Sequence, residues 1–161
     1  MKIAFITVDS HLDHKSWSGL KLNIYKTLKN ISSDIHVLPT VPWYLKILFK
    51  LKRNFYRFFG VKFDSERVIL LSKIYAKILE NKLKDLNPDL IFTCDTYSVS
   101  YLQTNKPIYI WTDATFQNYY SHYFKSFKIH KKTINEGNLL DLLAFKKATK
   151  IILTSNWAKK S

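Results

Sequence analysis

Lys106-Pro107-Ile108-Tyr109-Ile110-Trp111-Thr112-Asp113-Ala114-Thr115-Phe116 is an apolar run, rich in β-branched and aromatic residues, that stops abruptly at a carboxylate. It is too short for a buried helix, and Pro107 excludes a helical interior, so the run predicts a buried strand with Asp113 at its carboxyl end. In open α/β sheets ligands bind at that edge, because helix N-termini and loops converge there. A carboxylate so placed acts as a base, a charge stabiliser or an acceptor for a sugar hydroxyl, or else it merely caps the following turn.

Working outward, similar runs recur. Residues 2–8, 34–38, 89–93 and 150–154 predict further strands. After the first of them, apolar residues at 20, 24, 28 and 31 have helical spacing. A long helix is expected from Asp64 to Leu86, stopped at Asn87-Pro88, and a short one over 97–102. Thr133-Ile134-Asn135-Glu136 has the form of a capping box opening a helix through Ala148, and Ser155 is a further N-cap. Strands alternating with helices predict an α/β protein, a parallel sheet with helices on both faces.

Candidate site residues gather around the strand ends. Asp95 and Tyr97 follow the 89–93 strand and belong beside Asp113, although Asp95 also suits a helix cap. The stretch 116–124, with Tyr119 and Tyr123, can stack on a sugar ring or a base, or pack as a lid. Ser18-Gly19 precedes the first helix; the glycine permits close backbone approach, and exposed N–H groups at a helix tip suit a phosphate, though the same pair is also a common plain cap. His11, Asp13 and His14 match no closed metal site, so no metal is expected.

Composition narrows the class. With 161 residues, 47% of them hydrophobic, the chain can bury one substantial core. The lone Cys94 forms no internal disulfide and points to a reducing compartment, the apolar start is too short for a secretory signal, and no run approaches the ~20 apolar residues of a membrane span; the expected location is the cytoplasm or the inner face of the cell membrane. A net charge of +14 invites a nucleic-acid reading. Only Arg53, Arg57 and Arg67 among 26 basic residues are arginines, however, and base readout favours arginine, so no nucleic-acid partner is expected. A dinucleotide fingerprint is excluded, since Gly19, Gly60 and Gly137 are the only glycines.

From Trp43 to Phe63 six basic residues occur without an acidic one. On a helical wheel Lys46, Lys50, Arg53 and Arg57 share one side with Asn54, while Leu45, Leu48, Phe49, Phe55, Tyr56 and Phe59 fill the other, with Lys52 intruding. Such a helix either docks on an anionic membrane surface or packs on the core with a lysine-rich outer side.

Trp17-Ser18-Gly19, the run from Pro107 to Phe116, Tyr123, Glu136-Gly137 and Ser155-Asn156-Trp157-Ala158 resemble, in order and spacing, the amino-terminal half of bacterial family 4 glycosyltransferases. The resemblance spans nearly the whole chain, with Asn156 departing from the Asp or Glu that relatives commonly carry there. It implies a Rossmann-like domain covering 1–161, one half of a GT-B fold, that holds a glycan or lipid-linked acceptor. The donor-binding carboxyl-terminal domain is absent from these residues. It further implies transfer from a nucleotide-sugar, of the retaining type and without a metal or other cofactor, by an enzyme of which this piece alone is inactive. Asp113 would then lie near the transferred sugar and Ser18 and Gly19 at the donor phosphates; Asp95, Tyr97, Thr115, Tyr119 and Tyr123 are, by their place at the strand ends and in the segment after Asp113, the candidates for the acceptor or cleft. The rival readings are a non-catalytic Rossmann-like binding module and a basic peripheral membrane-binding protein.

Overall fold

A computed structural model describes residues 1–8, 19–39 and 43–160, apart from the side chains of Pro39, Trp43 and Lys46. Ser18, and the loop carrying His11, Asp13 and His14, lie outside the described residues. Strand β1 (Ile3–Thr7) is buried at all five positions. It is flanked by parallel partners, β2 (Ile35–Pro39) on one side and β4 (Leu90–Thr93) on the other. β5 (Ile108–Thr112) and β7 (Lys150–Leu153) extend the sheet, in the order β2-β1-β4-β5-β7, all parallel. This is the expected Rossmann-like α/β sheet.

Period-two alternation divides the core between the two faces. Ala4, Ile6, Ile91, Ile108 and Ile110 pack against Leu79 and Leu83 of helix α3 (Ile69–Leu86) and Ala144 of α6 (Lys131–Lys147). Ile3, Phe5, Phe92 and Cys94 point to the opposite face, where Leu28 of α1 (Leu20–Ile31) covers them. The chain leaves β1 for β2 through α1, then returns to β4 on the other side of β1. Diverging connections open a crevice at that reversal, above the carboxyl ends of β1 and β4.

Three local expectations are corrected. The long helix begins at Ile69, not Asp64, because the Asp64 carboxylate accepts the backbone N–H groups of Glu66 and Arg67 and holds 64–67 in a turn. The Thr133/Glu136 capping box does not form: α6 starts earlier, capped by the His130 ring, while Thr133 Oγ1 accepts from Asp64 N–H and Glu136 Oε2 accepts from Ile69 N–H. Glu136 thus satisfies an orphan donor of α3 instead of one on its own helix. The apolar side of α2 (Trp43–Phe58) is divided, since Leu45, Phe49 and Tyr56 pack on the domain while Leu48, Phe55 and Phe59 stay exposed.

A second, two-stranded sheet pairs β3 (Val61–Lys62) with β6 (Lys128–Ile129). The short helices α4 (Thr96–Val99), α5 (Phe116–Tyr123) and α7 (Asn156–Lys159) follow β4, β5 and β7. As expected, Ser155 caps α7, accepting from Ala158 N–H.

Gly137, inside α6, faces the buried Phe116 ring so closely that an added Cβ would meet it at 2.3 Å. That ring is pinned by Tyr120, whose centroid lies 4.4 Å away. Alanine is the better helix former by about 1 kcal/mol, but overpacking costs roughly 1–3 kcal/mol. Gly137→Ala is therefore expected to lower the urea midpoint; an unchanged or raised midpoint would show that Phe116 moves freely.

Candidate functional site

At the end of β5, Thr112 Oγ1 donates to Ala114 O and turns the chain toward α5, whose N-cap is Thr115, its Oγ1 accepting from Asn118 N–H. Thr115 therefore fills the capping role, which leaves the exposed Asp113 carboxylate facing a cleft of about 390 Å³. The cleft lies over the crevice between the ends of β1, β4 and β5, and the first turn of α1 enters it through Leu20 and Lys21. Gly19 is the N-cap of α1 at φ +80°, a left-handed backbone favouring glycine, and makes no side-chain cap bond of its own.

Asp95 is brought to the cleft but is already engaged. Its carboxylate accepts from Lys21 Nζ at 3.0 Å on both oxygens, and from Val8 N–H at 3.0 Å, with both side chains almost fully buried. It caps no helix through its side chain. The Tyr97 ring is buried beneath the cleft and its hydroxyl donates to Glu66 Oε2 at 3.3 Å. Tyr119 lines the rim, 41% exposed. Tyr123 lies one turn beyond it, its ring tilted against that of Tyr119 at 5.4 Å between centroids, but outside the cleft, as is Thr115. The exposed side chains of Lys50, Arg53 and Arg57 do not enter the cleft either.

The opposite wall was not legible in the sequence. It comes from the turn 64–67 and from α6, as Asp64, Glu66, Arg67 and Asp141. The Arg67 guanidinium lies over the rings of Tyr97 at 5.5 Å and Phe116 at 4.9 Å. Burial works against its charge, but Asp141 and Asp64 outweigh that and raise its pKa. Asp141 in turn is fixed by the Thr96 hydroxyl and Phe116 N–H, and Asp64 by the Tyr120 hydroxyl at 3.0 Å. Burial, then the Asp64 charge and hydrogen bond, push the Tyr120 phenol far above its usual range, so it stays a donor. Its local signal was only an Asp-Ser-Glu-Arg run, absorbed into the reading of one long helix.

The cleft thus offers carboxylate acceptors, one stacked guanidinium, a phenol and an aromatic floor. Among the described residues no three His, Cys, Asp or Glu side chains are grouped to hold a metal ion. No protein-family model, curated protein or solved structure matches this chain.

Breaking the Lys21–Asp95 pair from one side strands a buried charge, typically at a cost of about 3–5 kcal/mol. Lys21→Met should lose most of the domain's stability in denaturant melts, and Lys21→Met with Asp95→Leu should recover much of it. A double-variant loss equal to the sum of the separate Lys21→Met and Asp95→Leu losses would mean that the charges act independently. Burial, joined by the charges of Asp95 and Asp113 and opposed by Lys21, drives the Cys94 thiol well above its usual pKa. A disulfide reagent at mildly alkaline pH should leave native Cys94 untouched and titrate it once denaturant is added; prompt reaction of the native protein would contradict this burial.

Proposed function

We propose that this chain is the acceptor-side domain of a nucleotide-sugar-dependent glycosyltransferase, which moves a sugar to a glycan or lipid-linked acceptor. The observation that carries the reading is the exposed Asp113 at a parallel-strand end, across a polar cleft from the tip of α1. A carboxylate there can accept the proton of an attacking hydroxyl or stabilise positive charge developing on the transferred sugar.

The charge of the cleft supports a polyhydroxylated ligand. Among the described residues five carboxylates (Asp64, Glu66, Asp95, Asp113 and Asp141) line it against two cations (Lys21 and Arg67), although the chain as a whole carries +14. A polyanion such as nucleic acid would be repelled there, whereas sugar hydroxyls donate to carboxylates and sugar faces stack on Tyr119. Donor phosphates would approach from the α1 side, where Gly19, with no side chain of its own, lets a ligand come close to the helix tip. The nucleotide itself would be gripped by a facing second domain, so the chain alone should not turn over. The cytoplasmic side of a membrane is the matching location, because activated sugars and lipid-linked acceptors meet there.

The test uses the complete reading frame with a panel of nucleotide-sugars and of free and lipid-linked glycans. Transfer is expected for one donor. Asp113→Asn should lower turnover by about a hundredfold or more, the scale of a lost acid–base group, with an unchanged melting temperature because the side chain is exposed. Wild-type turnover by the folded variant would remove Asp113 from the mechanism, and no transfer from any donor would leave a binding module.

A further inference from the structure

Helix α2 carries three distinct sectors, and one of them packs into a buried cluster of the domain. Leu45, Phe49 and Tyr56 form a narrow stripe packed into the cluster of Phe63, Val68, Leu71 and Tyr75, with Lys52 Nζ 5.1 Å over the Phe63 ring closing its edge. Ile47 (51% exposed), Leu48 (60%), Leu51 (62%), Phe55 (62%) and Phe58 (86%) make a second sector in water. At about 100° per residue these five fall within an arc of roughly 100°, continued past the helix end by Phe59, which is 62% exposed. Lys50, Arg53 and Arg57, all exposed, form the third sector between the other two.

We propose that this second sector is a docking face for an anionic lipid bilayer, on which α2 lies in the plane of the interface. The surface is the outer side of a single helix, with aromatic side chains at its tip. Its flank is of one sign, carrying the exposed Lys50, Arg53 and Arg57, and the sequence from Trp43 to Phe63 has no carboxylate, which complements a uniformly negative surface. Lys50 and Arg57 can lay their stems along the helix and reach headgroups while the apolar residues enter the acyl boundary. None of the described helices is long and apolar enough to cross a membrane, so α2 lies on the bilayer without spanning it. The cluster beneath α2 also contains Val8 and Tyr97, at the carboxyl edge of the sheet, so the docking face borders the edge that carries the cleft.

The test needs no sugar and so stands apart from the transferase reading. The chain is co-sedimented with vesicles of phosphatidylcholine alone and of phosphatidylcholine mixed with phosphatidylglycerol, at low and high salt, with circular dichroism on every variant. Salt-sensitive binding that prefers the anionic vesicles is expected. Leu51→Ser with Phe58→Ser should weaken it at least tenfold, and Lys50→Gln with Arg53→Gln and Arg57→Gln should remove the anionic preference. Ile152→Ser, in the exposed edge strand β7, should change nothing. Equal binding to both vesicle types, full retention by the Leu51/Phe58 variant, or loss on Ile152→Ser would overturn the proposal. So would an absence of vesicle binding together with a dimer that Leu51→Ser and Phe58→Ser dissociate, which would assign the face to a second copy.

Discussion

The buried ion pair between Lys21 and Asp95 is the constraint on which the cleft depends. Lys21 belongs to the first turn of α1, Asp95 to the segment after β4, and the Asp95 carboxylate also holds Val8 N–H at the end of β1. One carboxylate therefore ties together the three chain segments that diverge where the strand order reverses. Two charges with side chains only 1% and 5% exposed lose hydration worth several kcal/mol each, and their attraction offsets this only where geometry is close and the remaining lone pairs are used. Both conditions hold here. The result is a crevice fixed by directional polar contacts, where packing alone would have favoured closing it.

The second wall is irregular chain that tertiary contacts keep from becoming helix. Extending α3 back to Asp64 would gain a few backbone hydrogen bonds, each worth about 1 kcal/mol net. It would sacrifice the Asp64 turn, the Tyr120–Asp64 and Thr133–Asp64 bonds and the Glu136 cap on Ile69. It would also withdraw Arg67 from the rings of Tyr97 and Phe116. Contacts from α5 and α6 outnumber what the helix offers, so the turn persists and its carboxylates face Asp113 across the cleft. Lys62 strengthens the same corner, its ammonium 3.3 Å over the Phe124 ring.

What was legible in the sequence is what depends on near neighbours. The five sheet strands carry their own hydrophobic pattern, and α1, α2 and the body of α3 carry a 3.6 period, so each could be read locally. Asp113 was legible because a strand end fixes its place without reference to other elements. Arg67 and Asp141 were not, since their roles arise from α5 and α6 meeting the turn after β3. Thr133 and Glu136 show the converse: their spacing satisfies a local rule, yet donors from the distant Asp64–Ile69 segment claim both side chains. β3 and β6, two residues each, are too short to show any period.

The division of α2 was equally hidden, because a wide apolar arc does not reveal which part of it the domain will cover. Phe63, Val68, Leu71 and Tyr75 cover the Leu45–Phe49–Tyr56 stripe, and Phe55, Phe58 and Phe59 stay exposed. An apolar sector of that size would by itself draw copies of the chain together. The neighbouring cations oppose this, because two such helices meeting face to face would also bring two uncompensated basic flanks within a Debye length. Repulsion between like flanks and attraction to an opposite surface are one property of the same residues. On the docking proposal, the charge that opposes pairing of the exposed sector with itself is the charge that would draw it to a negatively charged interface.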